Sequence, residues 1–324
     1  MKICVYGAGA IGGLIAAWLS RSGHEVSVVA RGAQLEAIRK QGLRVRDRAS
    51  GKVESFQVNT APAGAQDYVI VAVKAQNLTE VRLDVFLGKE TAIVTALNGV
   101  PWWFFDRLKF GNGKHRLETL DPGGRLAQAM PTERIVGCVV HLAASTPEPG
   151  LISHNMGKRL ILGEPGGRNT QRTKQLVQAL CGAGFEALES DSIEKEFWVK
   201  LLGNVSFNPV SALTVSTADR LIDDPLVKDY MVGIMREVLA IGRAVGVDAA
   251  IDPEARIDMA RVLGKFKTST LQDLEAGKPL EVDGLLAGTL EIAQKAGVQA
   301  PLTQSLFGLI RTRAQSTGQY KKTA

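Results

Sequence analysis

The first thirty residues constrain this chain more than any other stretch. Lys2–Tyr6 is a short apolar run, and it leads at once into Gly7-Ala8-Gly9-Ala10-Ile11-Gly12. An apolar stretch of helical character covers 14–19 and stops near Gly23, and a second apolar run covers 26–30. The order is strand, G-x-G-x-x-G, helix, strand, within about thirty residues, the spacing of a dinucleotide-binding βαβ unit. Each glycine has its own task. Gly7 permits the tight turn off the strand, Gly9 lets backbone approach a pyrophosphate, and Gly12 permits close packing of helix on strand. Ala8, Ala10 and Ile11 complete the turn, whose helix N-terminus offers N–H groups and positive dipole to phosphates. The plain alternative is a glycine turn that only packs.

The end of the second strand bears on which dinucleotide is expected. An Asp or Glu there would bond a ribose 2′-hydroxyl. This chain has Ala30 and then Arg31. A guanidinium can fork onto a 2′-phosphate, so NADP(H) is expected over NAD(H). The competing reading of Arg31 is a solvated loop arginine.

Further along, 43–48 and 53–58 flank Ala49-Ser50-Gly51-Lys52 and predict a hairpin. Strands are predicted at 68–73, 92–97, 134–144, 159–163 and 185–189, with a helix over 169–182. After about Asp191 long amphipathic segments take over, at 193–208, 226–246, 253–263, 271–276, 280–297 and 301–315. The expected fold is α/β: an N-terminal Rossmann dinucleotide-binding domain over 1–191, then an all-helical domain over 192–324. With 45% apolar and 22% charged residues the chain can build cores, which excludes disorder. The net charge of +6 owes part of its excess to the C-terminal end, with Arg311, Arg313, Lys321 and Lys322 and no acid. That sparse pattern does not predict a nucleic-acid surface. Cys4, Cys138 and Cys181 imply no disulfide framework, and the scattered His24, His115, His141 and His154 predict no metal site. Neither a signal peptide nor a membrane-spanning run is expected, so the expected setting is cytoplasmic.

Three segments outside the glycine turn carry candidate chemistry. Over 101–131, Pro101-Trp102-Trp103-Phe104-Phe105 precedes a glycine- and charge-rich stretch with Gly111, Gly113, Gly123 and Gly124. It is either a patch packed on the second domain or a lid over the cofactor. In 197–208, Lys200, Asn204 and Asn208 stand at i, i+4 and i+8, along one helical stripe with apolar neighbours. Such a stripe is either a buried polar network or the wall of a cleft, since unpaired polar groups cost desolvation energy. A lysine there suits a general acid: hydride arriving at a carbonyl carbon leaves negative charge on oxygen, which an ammonium can stabilise and protonate. Partial burial would ease the release of its proton. Finally, 267–273 is hydroxyl-rich and reads as a helix N-cap with donors for a carboxylate, while Glu281 reads as a first-turn acid.

Taken together, these residues resemble the ketopantoate reductase (2-dehydropantoate 2-reductase) family nearly end to end. The likeness runs through GAGAIG, Arg31, Lys74 after VIVAV, Asn98-Gly99, the K-x-x-x-N-x-x-x-N of Lys200, Asn204 and Asn208, and the TSTLQD…EVDG of 268–284. It implies an active site between a Rossmann and a helical domain. By resemblance, Lys200 protonates the ketone oxygen as NADPH delivers hydride to C2, and Glu281 binds the substrate hydroxyl. Asn204, Asn208 and Ser269 become substrate-binding groups, with Ser269 near the carboxylate. Asn98 contacts the nicotinamide end and the substrate, Lys74 lies near both, and Arg31 meets the 2′-phosphate. The chain departs from compact members after Asn98-Gly99, where they connect briefly. The implied partner is a small 2-keto acid, and a homodimer is compatible. Reduction of another 2-keto acid, or non-catalytic NADPH binding, are the alternatives.

Overall fold

A computed structural model describes residues 1–111, 115–262 and 264–322. Its elements run β1 (Lys2–Tyr6), α1 (Ala10–Ser20), β2 (Glu25–Val29), α2 (Gly32–Gln41), β3 (Leu43–Asp47), β4 (Val53–Phe56), β5 (Gln66–Val71) and β6 (Leu87–Thr95). Then come α3 (Arg125–Ala129), β7 (Ile135–Glu148), β8 (Leu151–Gly163), α4 (Gln171–Gly182) and β9 (Glu186–Glu189). The helices α5 (Ile193–Thr214), α6 (Ala218–Asp223), α7 (Pro225–Ala244), α8 (Pro253–Arg261), α9 (Ser269–Glu275), α10 (Gly288–Ala296) and α11 (Pro301–Ser316) follow, with one π-turn at Asp283–Ala287.

The backbone divides into two compact units. One holds Met1–Leu97 and Arg125–Ile193, the other Asn98–Gly124 and Glu194–Ala324. The single crossing expected at 191 therefore differs from the structure, because 98–124 clusters with the helices. The cause is apolar burial: Trp102, Trp103, Phe104 and Phe105 are all buried, the last two in the core of the helical unit. Phe104 packs on Trp198 and Trp103 on Phe197, both of α5, at centroid distances of 5.3 and 5.5 Å. Of the two readings for this aromatic run, packing is what the structure shows. Gly113 and Leu263 lie outside the described residues.

The first unit is a nine-stranded mixed sheet in the order β2-β1-β5-β6-β7-β8-β3-β4, with β9 on β8. Most pairings are parallel; β3–β4 and β7–β8 are antiparallel. The predicted hairpin at 43–58 forms, with Leu43 opposite Phe56. Strand β8 is much longer than the predicted 159–163, because its exposed middle, around Met156 to Lys158, carries no apolar run to announce it. Cross-strand backbone bonds to β7 hold it instead. Helix α1 buries Gly12 through Ala17 and Leu19, which is why it reads as apolar all round. A Cβ on its Gly13 would lie 2.9 Å from Ile152 of β8.

The second unit is built on α5 and α7. Leu201, Leu202 and Val205 of α5 share a core with Met231, Met235 and Val238 of α7. Trp198 donates its Nε1–H to the Val238 carbonyl at 3.1 Å. Helix α5 was expected to end at 208, before Pro209, yet it runs on to Thr214. Packing outweighs the one backbone bond that a proline removes. The start of α7 is capped by Asp224, which accepts from the N–H groups of Leu226 and Val227. No helix among the described residues is long and apolar enough to cross a membrane.

Candidate functional site

In the first unit the chain leaves β1 at Gly7, whose φ is +104°. A Cβ there would meet the Ala72 carbonyl at 2.8 Å, so conformation and space both demand glycine. The Gly7 N–H bonds the Val29 carbonyl at 3.0 Å and ties the turn to β2. Gly12 sits so close beneath the turn that a Cβ would be 2.1 Å from the Gly7 carbonyl. Around Gly9 a Cβ would meet nothing within 4 Å, which leaves bare backbone facing open space. Gly9 is the N-cap of α1, and no acid lies in the helix's first turn. Free N–H groups and the positive end of the helix dipole therefore face an unobstructed region, which suits a pyrophosphate.

A cavity of about 330 Å³ opens here, lined among others by Gly7, Ala8, Gly9, Arg31, Gln34 and Glu80. Gln34 braces it: its Nε2 donates to the Ala8 carbonyl at 2.6 Å and its Oε1 accepts from the Gly150 N–H at 2.9 Å. Ala10, Ile11, Gly12 and Lys74 are not among the lining residues; Lys74 precedes the 3₁₀ turn Ala75–Glu80. The backbone and charge present fit a dinucleotide phosphate. Arg31 has a neighbour that the pattern around β2 did not announce. Its Nη1 donates to Glu80 Oε2 at 2.7 Å, and the side chains are 73% and 44% exposed. No acid follows β2, but one arrives from 49 residues downstream.

In the second unit, Lys200 of α5 donates from Nζ to Asn98 Oδ1 at 2.8 Å. Lys200 is half-buried. Asn98 is held by the residue after it: Gly99 has φ +78°, and a Cβ there would be 2.2 Å from the Gly284 carbonyl. The Val100 N–H bonds that same carbonyl at 3.3 Å. Gly284 lies in the π-turn that begins two residues after Glu281, a local irregularity of the kind found at functional sites. The chain thus docks the Asn98-Gly99 corner on the Glu281–Gly284 segment and presents Asn98 to Lys200. Glu281 is half-buried.

Farther along the stripe, Asn204 is half-buried, and its side chain makes no hydrogen bond among the described residues. Asn208 is buried and donates from Nδ2 to Ser269 Oγ at 3.4 Å. Ser269 opens α9, and Thr268 before it caps the helix by accepting from the Leu271 N–H at 3.2 Å. Thr268 Oγ1 also lies 2.5 Å from Ser211 Oγ of α5. The two sequence segments, 200–208 and 268–269, are therefore brought together. One neighbour carried no sequence signal. The half-buried Arg256 of α8 lays its guanidinium against α5, so that a Cβ on Gly203 would be 2.9 Å from Nη2. Burial lowers its affinity for the proton.

The glycine turn in one unit and the lysine–asparagine stripe in the other fit the class of dinucleotide-dependent oxidoreductases. The family model for ketopantoate reductase PanE/ApbA matches residues 3–167, and that for its C-terminal region matches 192–314. The chain belongs to the ketopantoate reductase family. It is 41% identical to a 2-dehydropantoate 2-reductase of Mesorhizobium japonicum, over 99% of this chain and 100% of that one. A solved structure of a candidate ketopantoate reductase from Ralstonia solanacearum MolK2 superposes with a TM-score of 0.93 at 44% identity, covering 98% and 99% of the two chains. The 2-dehydropantoate 2-reductase of Geobacter metallireducens GS-15 has a TM-score of 0.83 at 27% identity, covering 97% and 100%.

Proposed function

We propose that this chain catalyses the NADPH-dependent reduction of 2-dehydropantoate to (R)-pantoate, the reductive step toward pantothenate and coenzyme A, with Lys200 as general acid. Family membership supports the reaction, and the 2.8 Å bond between Lys200 Nζ and Asn98 Oδ1 carries the assignment of the acid. When bound, the nicotinamide supplies hydride to C2. The task left to the protein is the charge that grows on the ketone oxygen. The Lys200 ammonium stabilises that charge and then gives up a proton to it. Asn98, locked by the Gly99–Gly284 contact, holds Nζ in place beforehand, so little reorganisation is needed during the reaction.

Asn204 and Asn208 bind the substrate along the same stripe, and Ser269 receives its carboxylate. Glu281 accepts from the substrate hydroxyl and orients it. In the cofactor cradle, Gly7 through Gly12 hold the pyrophosphate and Arg31 takes the 2′-phosphate. Lys74 and Asn98 serve the nicotinamide end.

Glu281 makes the substrate testable. An analogue that lacks the 4-hydroxyl loses the bond to the Glu281 carboxylate, so kcat/KM falls about 100-fold. In Glu281→Ala the two substrates converge. Steady-state kinetics with NADPH would read this, and equal turnover of both by the unaltered protein would point to another 2-keto acid as substrate. We further propose a cytoplasmic setting, which suits three cysteines that form no disulfide, and a homodimer. Light scattering on purified protein reads the latter, where a monomer mass would refute it.

A further inference from the structure

The Arg31–Glu80 pair belongs to the same cavity as the bare backbone at Gly9. Glu80 stands at the end of the 3₁₀ turn, and its carboxylate accepts a hydrogen bond from Arg31 Nη1 at 2.7 Å. Arg31 has five N–H donors in a fixed fork, and one of them is already engaged. A 2′-phosphate carries about two negative charges and would meet both the guanidinium it needs and a carboxylate that repels it. A ribose 2′-hydroxyl has the opposite preference, since it can donate to a carboxylate and gains nothing special from a guanidinium. One cavity therefore holds a group suited to each dinucleotide.

We propose that Glu80 is a specificity-determining residue of the cofactor cavity, competing with the 2′-phosphate for Arg31 and so restraining the preference for NADP(H) over NAD(H). This rests on Arg31 being the phosphate contact. Phosphate binding exchanges one acceptor of Arg31 for another. The cost of that exchange falls only on the phosphorylated cofactor. Both side chains are exposed, so the exchange needs no repacking of the core.

Equilibrium titration of the full chain with NADPH and with NADH, followed by nicotinamide fluorescence in the absence of substrate, tests this. Glu80→Gln keeps the shape and removes the charge. It raises the NADPH-to-NADH affinity ratio about three- to tenfold, and the gain shrinks as salt is added. An unchanged or lowered ratio overturns the proposal. Arg31→Ala, titrated alongside, weakens NADPH far more than NADH. If it weakens both equally, the phosphate role of Arg31 itself fails. If it discriminates while Glu80→Gln is silent, Arg31 keeps its role and only the competition by Glu80 is wrong. Unchanged melting temperatures for both variants show that a shift in ratio reports binding and not folding.

Discussion

Replacing Lys200, the proposed general acid, with alanine lowers kcat by about 10²–10⁴-fold, the range expected for loss of such a group. Two contributions vanish together, the proton and the positive charge next to the forming oxyanion. Both act more strongly in the transition state than on the bound ketone, so kcat and kcat/KM fall in parallel. Lys200 is half-buried, and its bond to Asn98 Oδ1 joins two polar groups that water can otherwise solvate. The melting temperature and NADPH affinity therefore stay close to those of the unaltered protein. Steady-state rates, calorimetry and cofactor titration on one preparation separate these quantities. A Lys200→Ala protein that turns over within a few-fold of the parent would refute the mechanism and favour a protein that binds NADPH without catalysis.

Glu164→Ala has the largest expected effect on stability. Glu164 directly follows β8, and its carboxylate organises the start of α4. It accepts from the Thr170 N–H at 2.8 Å, the Thr170 hydroxyl at 2.7 Å and the Thr173 hydroxyl at 2.9 Å, and pairs with Arg172. The residue is only 6% exposed. Burial alone would push its pKa up, but the bonds from Arg172, Thr170 and Thr173 outweigh it and hold the carboxyl below its ordinary value of 4.5. Removing the acid strands Arg172 and two hydroxyls, at a cost of about 3–5 kcal/mol. For a cooperative unit of about 150–250 residues, the range into which the first unit falls, that lowers the melting temperature by about 6–20 °C.

The sign of the pH effect follows from the same depression. The stabilisation is fully present above the unfolded value of 4.5 and is lost as pH falls through the lower, folded value. The gap in melting temperature between parent and Glu164→Ala is thus constant near neutrality and narrows below about pH 4.5. A gap unaffected by acid would show that the carboxylate is not the stabilising species.

Local chemistry in the sequence determined a large part of this protein. The run from Lys2 to Ala30 needs only neighbours in the chain: a strand, a turn only glycine can make at Gly7, and a helix wrapped in apolar residues. The i, i+4, i+8 spacing of Lys200, Asn204 and Asn208 likewise follows from helical pitch. The exposed middle of β8 was not legible, because a ribbon held by backbone bonds leaves no apolar signature. Nor was the continuation of α5 past Pro209, where packing decides against local preference.

What only tertiary structure decided is which distant residues meet. Asn98 reaches Lys200 across 102 positions because Gly99 can lie against Gly284 without a side chain between them. Arg31 finds an acid in Glu80, although none follows β2. The aromatic run at 102–105 is core because α5 offers Phe197 and Trp198 to receive it. Backbone dihedrals and periodicity are properties of neighbouring residues, so a sequence displays them. Partner choice between remote side chains depends on where packed elements come to rest, and that is fixed only when the apolar surfaces have closed.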